Sequence, residues 1–303
     1  MKQNDSQIQT FTSISQLMRY LGLSAPLHPL VTLINYDDEV LNSFEKGQKF
    51  CMDFYKISFK TSFNGQIKYG QGYYDFEEGG LAFLKPKQIV TSSENENSYE
   101  GYSLFFHPDL IRNYPLAKTI TQYGYFSYSV SEALLLSDKE KKIVSGLFKT
   151  IASELNNNID PYSQDVLVTQ IELLLHYSNR FYNRQFITRK TINNNVIAQL
   201  DNLLDDYFNQ KSLGGLPTVQ SISEQLNISQ RYLSDMLRSL TGQNTQQYIQ
   251  DKLIEKAKEK LSTTTLSVSE IAYELGFEHP QSFSKLFKTK TNFSPLEFRQ
   301  SFN

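Results

Sequence analysis

The chain of 303 residues is long enough for two domains, and its formal net charge of −2 gives no global sign of nucleic-acid binding. A single cysteine excludes an internal disulfide framework and fits a reducing compartment. No run of about 18 apolar residues exists, and the polar start from Met1 to Thr12 lacks an apolar core. Neither a membrane span nor a signal peptide is therefore expected, and a cytoplasmic location is.

From Leu30 to about Phe106 the pattern is β. Phe50 to Phe63 is rich in aromatic and β-branched residues, Asn64-Gly65 is a two-residue hairpin signal, and Gln66 to Phe76 returns as a second strand. Glu78-Gly79-Gly80 turns the chain into Leu81-Ala82-Phe83-Leu84, Pro86 breaks that strand, and Gly101 to Phe106 supplies another. Short strands with frequent turns predict a small barrel or jelly roll over about 30–130. Cys51 reads as a small buried strand residue. Phe50, Phe54, Tyr55, Phe59, Tyr69, Tyr73 and Phe83 are the pool from which a small-ligand pocket would be drawn, and the same residues fit an ordinary barrel core. The histidines, His28, His107, His176 and His279, include no His-x-His and no pair at ligand spacing, so no metal or other cofactor is expected. His107 before Pro108-Asp109 reads as a strand exit and helix start. No Ser/His/Asp order, Gly-rich phosphate loop or carboxylate pair stands out, so no enzyme is expected.

Ser137-Asp138-Lys139-Glu140 opens a helix to about Asn156, with Ile143, Leu147 and Ile151 on one face. Pro161 starts another, through about Arg184, containing Val166, Leu167, Ile171, Leu174, Leu175 and Tyr177. Joined by the polar turn Asn156-Asn157-Asn158, the two make an antiparallel hairpin over about 137–184. Polar residues over 185–195, with Asn193-Asn194-Asn195, read as a linker. Val196 to Asn209 follows as the first helix of a second domain, and Gly214-Gly215 ends it.

Thr218 to Arg299 contains one pattern twice, which means one supersecondary unit used twice. Thr218 and Ser267 stand as N-caps, and Ser267 has Glu270 three residues on, a capping box. Ile222 with Leu226, and Ile271 with Leu275, face inward at i, i+4 spacing. Asn227 and Gly276 sit where these helices stop and tolerate the left-handed backbone of a helix C-terminus. Ser223 and Ala272 are small enough for a second helix to cross closely. That second helix carries Tyr232/Leu233, Met236/Leu237 and Leu240 inward in the first copy, and Phe283, Leu286 and Phe287 in the second. Each copy is thus a helix-turn-helix, over about 218–241 and 267–290. Gln246 to Leu261 between them reads as one helix of about 25 Å. With the widths of the flanking units it can set two reading helices about 34 Å apart, one turn of DNA. Ten basic against nine acidic residues from Pro217 onward make any electrostatic footprint a local stripe.

The C-terminal 196–303 resembles the AraC/XylS transcription regulators. The resemblance rests on Ile222-Ser223 with Leu226, Ser229 with Tyr232-Leu233-Ser234, Gly242, Lys252-Leu253 with Ala257 and Leu261, and Ser269-Glu270-Ile271-Ala272. It continues through Leu275-Gly276-Phe277, Ser282-Phe283-Ser284-Lys285-Leu286-Phe287-Lys288, and Ser294-Pro295 with Phe298-Arg299. Departures are Asn227 and Asn292 where the family usually has Gly, Lys252 for Arg and Ser223 for Ala.

The resemblance implies an α+β chain. A cupin-like sensing or dimerisation domain would occupy 1–184, and a double helix-turn-helix DNA-binding domain 196–303. It implies Gln230, Arg231, Ser234, Gln281, Ser284 and Lys285 as residues facing bases, with Arg238 and Lys288 on phosphates. Double-stranded DNA at a promoter or operator is the expected partner. A small-molecule effector, RNA polymerase and a second copy docked through the helical hairpin are further partners the family pattern admits. Packing of that hairpin onto the barrel is the competing reading. The function expected is a sequence-specific regulator reading two successive major-groove segments, under ligand control; the alternative is a ligand-independent regulator whose first domain serves dimerisation or protein contact alone.

Overall fold

A computed structural model describes residues 8–36, 48–63, 66–69, 72–75, 79–91, 99–129, 132–157, 160–209 and 215–301. The chain divides into two units, Met1–Gln185 and Phe186–Asn303, the first mixed α and β, the second helical.

In the first unit, β1 (Gln9–Phe11) leads into α1 (Ile14–Tyr20), whose N-cap Ser13 accepts from the Gln16 amide at 3.2 Å. The strands that follow are β2 (Val31–Asn35), β3 (Lys49–Met52), β4 (Tyr55–Phe63), β5 (Gln66–Tyr69), β6 (Gly72–Asp75), β7 (Gly80–Leu84), β8 (Val90–Thr91), β9 (Tyr99–Phe106) and β10 (Leu134–Leu135). Five of them form an antiparallel sheet in the order β10-β7-β4-β9-β2, and β1-β3-β8 form a second sheet. The period-two pattern of β4 decides its two faces. Ile57 and Phe59 are fully buried on one, while Lys56, Ser58 and Lys60 lie on the other. Phe59 pairs with Tyr102 across the ladder, and both rings stack on Phe148, at 5.5 and 5.6 Å. The opposite side is closed by α1 and the smaller sheet, through a cluster that includes Phe11, Leu17, Ile34, Phe50, Phe54 and Phe105. Among the described residues these sheets are open layers and do not close into a barrel.

Local details depart from the sequence pattern. Gln66 to Phe76 is not one returning strand: β5 and β6 pair with each other, Gln66 opposite Asp75 and Tyr69 opposite Gly72. Asn64-Gly65 lies outside the described residues. Cys51 is half-buried, on the face of β3 opposite buried Phe50 and Met52. The seven-residue helix α1, which buries Ile14, Leu17 and Met18, has too few turns to show a helical period in the sequence.

α2 (Pro108–Ile111), capped by His107 through its Nδ1, and α3 (Leu116–Thr119) connect the sheet to α4 (Asp138–Asn156) and α5 (Ser163–Thr188). The buried face of α4 is Val144, Phe148 and Ile151; Ile143 is exposed and Leu147 half-buried. Ile151 is buried as expected, but the other two positions move on by one residue, because Phe148, the largest apolar side chain of the helix, takes the place against the sheet. Against α5, Tyr125 donates to the Leu175 carbonyl at 2.9 Å and Tyr182 to the Glu132 carbonyl at 3.0 Å.

The second unit contains α6 (Lys190–Asn209), α7 (Val219–Leu226), α8 (Gln230–Thr241), α9 (Thr245–Thr263), α10 (Val268–Glu274), α11 (Pro280–Thr291) and α12 (Pro295–Gln300). The polar stretch 185–195, expected as a linker, is helical on both sides of a break at Arg189. Buried Asn193 explains how polarity and helix coexist there. Its Nδ2 donates to the Phe186 carbonyl at 2.6 Å, satisfying one of the acceptors left over at the end of α5.

Candidate nucleic-acid interface

Both helix-turn-helix copies are set by caps at each turn. Thr218 forms a capping box with Ser221 and Ser267 one with Glu270. Asn227 takes φ 55° at the end of α7, and Gly276 takes φ 91° just beyond α10. Gly276 is additionally pinned by space: a Cβ there would overlap the Gly215 carbonyl, which Tyr207 holds by a 2.6 Å hydrogen bond. Ser223 and Ala272 are buried where the second helix crosses the first.

The second helices, α8 and α11, bury one stripe each, Leu233, Met236 and Leu237 in the first and Phe283 and Phe287 in the second. At roughly 25 cal/mol per Å² these apolar side chains are each worth about 2 kcal/mol of burial, which fixes which side of each helix remains outward. α9 packs against both. Its Asp251 accepts from Gln243 Nε2 beyond α8 and from Lys290 Nζ on α11, each at 2.7 Å. On the far side, Asp201 of α6 accepts from Tyr248 at 2.8 Å and pairs with Lys252 at 3.2 Å. Those contacts push the Tyr248 phenol up, first through burial and then through the Asp201 carboxylate. Lys252 is thus engaged in bracing α9 against α6.

Gln230, Arg231, Arg238, Gln281, Lys285 and Lys288 are exposed on α8 and α11, and Ser234 and Ser284 are half-buried on the same two helices. Lys285 and Lys288 make no ion pair within 4 Å among the described residues. α8 differs. Asp235 accepts from Arg231 Nε at 2.9 Å and from Arg238 Nη1 at 3.2 Å, so one carboxylate joins both arginines. Its side chain is 17% exposed, against 46% and 54% for the arginines. This trio is written in the sequence as i, i+4 and i+3 spacing.

In the first unit the described aromatics of the pool divide between the core cluster, which holds Phe50 and Phe54, the ring of Phe126, which meets Tyr55 and Phe83, and the Phe148 face, which takes Phe59. Phe50 lines an apolar cavity of about 40 Å³ with Leu17, Ile34, Tyr36 and Phe105. Phe59 floors a separate open cleft beside Lys141, Lys142 and Lys149. Phe54 is fully buried and meets Phe105, Tyr55 stacks on Phe106 at 4.9 Å, and Phe83 packs on Tyr125 at 4.4 Å. The side chains of Tyr69 and Tyr73 lie outside the described residues. Burial, with Lys56 nearby, pushes Lys60 down to about 7.

Two helix-turn-helix units joined by a shared helix, with polar and basic side chains outward on each second helix, define a DNA-binding domain. Comparison with known proteins agrees: a family described as a helix-turn-helix domain matches residues 222–301. The chain is 30% identical over 138 residues to the HTH-type transcriptional activator RhaS of Salmonella arizonae, a match covering 46% of each. It thus spans about half the length of the curated relatives it matches. Among solved structures it is similar to the C-terminal domain of the two-component response regulator yesN from Fusobacterium nucleatum, at 32% identity, covering 35% of this chain and 98% of that one with a TM-score of 0.31. It is also similar to the C-terminal domain of AraT, a response regulator from Geobacillus stearothermophilus, at 30% identity, covering 35% and 84% with a TM-score of 0.31. The C-terminal segment is an AraC-type helix-turn-helix domain, homologous to those of RhaS and the AraC-family regulators.

Proposed function

We propose that the chain is a sequence-specific transcription regulator that inserts α8 and α11 into two successive major-groove segments of a promoter or operator. Gln230, Arg231 and Ser234 face bases in the first segment, Gln281, Ser284 and Lys285 in the second, and Arg238 and Lys288 meet phosphates. The observation that carries this reading is the repeated cap-and-stripe geometry, which leaves the same helical positions outward in both copies. A cytoplasmic location fits, and no helix among the described residues is long and apolar enough to cross a membrane.

The first unit serves sensing or dimerisation, as a cupin-like module in open-sheet form. Exposed Ile143, Val166 and Leu173 on α4 and α5 favour a homodimer through the hairpin. An effector-free regulator is the second reading, favoured by the packing of Phe50, Phe54, Phe59 and Phe83 as core. RNA polymerase is a further partner of the proposal.

The test compares Arg231→Ala with Lys288→Ala in the full chain, on a duplex selected from a random library and on random duplex. Lys288→Ala weakens both alike and lowers the salt slope by about 0.9. Arg231→Ala also relaxes sequence preference, by about tenfold. Equal effects of Arg231→Ala on both duplexes would refute the division of roles.

A further inference from the structure

The geometry points to Asp235 as a specificity-determining positioning residue: its carboxylate holds Arg231 in the conformation that reads a base and keeps Arg238 from acting as an unrestricted phosphate anchor. This rests on the reading of α8 as a groove-entering helix.

An arginine on a helix surface samples many rotamers, and ordering it on DNA costs up to about 2 kcal/mol. Asp235 removes part of that cost in advance. It engages Arg231 through a charge-assisted hydrogen bond from Nε at 2.9 Å, which sets the direction of the guanidinium along the helix surface. The carboxylate lies beneath the two more exposed arginines, so the charge nearest a duplex is positive even though an acid stands at the centre of the helix. The second copy supplies the internal contrast: the position matching Asp235 holds Lys285, and those matching Arg231 and Arg238 hold Gln281 and Lys288. With no acid in that trio, no carboxylate on α11 itself aims Lys285 or Lys288. Unaimed positive charge contributes affinity for any duplex, whereas an aimed guanidinium contributes preference for one.

The experiment uses the full chain, a duplex selected by the wild-type chain from a random library, and random duplex of equal length. Asp235→Asn is nearly isosteric and is checked for helicity and melting temperature. Its expected effect is a preference for the selected duplex reduced about tenfold, with random-duplex affinity raised about threefold as Arg238 meets its phosphate without a competing carboxylate. In an Arg231→Ala background the same substitution should leave the preference unchanged. Asp235→Glu keeps the charge and moves the carboxylate, so it should reduce preference while leaving random binding at the wild-type level, and it decides the matter if the Asn variant unfolds. Equal gains on both duplexes for Asp235→Asn, or an undiminished loss of preference without Arg231, overturn the role of Asp235 alone. A wild-type chain that shows no preference among duplexes overturns the functional reading beneath it.

Discussion

Where α8 has Asp235 between two arginines, α11 has Lys285 between Gln281 and Lys288, on a helix of the same length with the same inward stripe. The capping residues differ in the same systematic way. The first copy closes its helix starts with Thr218/Ser221 and Asn244/Gln247, which carry no charge, and the second with Ser267/Glu270 and Ser294/Glu297. One backbone solution has therefore been filled with two electrostatic ones. Backbone geometry needs only residue classes, such as a cap, a small crossing residue and a left-handed stop, whereas readout depends on which charges sit together on the outward face.

The largest effect that would break the likeness of the copies is at the two stops. Gly276→Ala should cost about 3 kcal/mol or more, since a left-handed backbone and a clash with the Gly215 carbonyl act together. Asn227→Gly in the first copy should be close to neutral. Thermal unfolding of the two variants checks the contrast. Lys285→Asp, which gives the second copy the acid of the first, should weaken binding to random duplex by about tenfold without creating an arginine clamp, as measured by titration at two salt concentrations.

A smaller effect sharpens the comparison at the crossing. Buried Ser223 has a hydroxyl with no hydrogen-bond partner among the described residues, where the second copy has Ala272. Ser223→Ala should stabilise the chain by about 1 kcal/mol in denaturant titration. The smallest effect is in acid. Backbone and side-chain hydrogen bonds from Ser267 and Ser294 lower the pKa of Glu270 and Glu297 below the ordinary value of 4.5. A carboxylate with a lowered folded pKa contributes stability above its unfolded pKa, and that contribution is lost as pH falls through the folded value. Amide exchange below pH 4.5 should therefore loosen the first turns of α10 and α12 before those of α7 and α9.

What could be read from the sequence follows the same division. Thr218, Ser267, Asn227 and Gly276 are local demands on a backbone, and each appears where its residue type predicts. Long α9 also followed from Ile249, Leu253, Ala257 and Leu261 at spacing four. The first unit was less legible because its order depends on partners far along the chain. Nothing near Gln66 says that its strand pairs with β6 and not β4, and nothing near Ile143 says that Phe148 will take the sheet-facing position. Asp235 was visible as spacing yet not as a clamp, since i+3 and i+4 neighbours become partners only when the side chains turn toward one another.

Interference by guanine N7 methylation, measured for the full chain on its selected duplex, tests most directly whether both helices enter the major groove. Two clusters of interfering guanines per bound chain, about 10 base pairs apart on one face of the duplex, are the predicted result. A single cluster, or no interfering guanine on a duplex the chain binds, would contradict it.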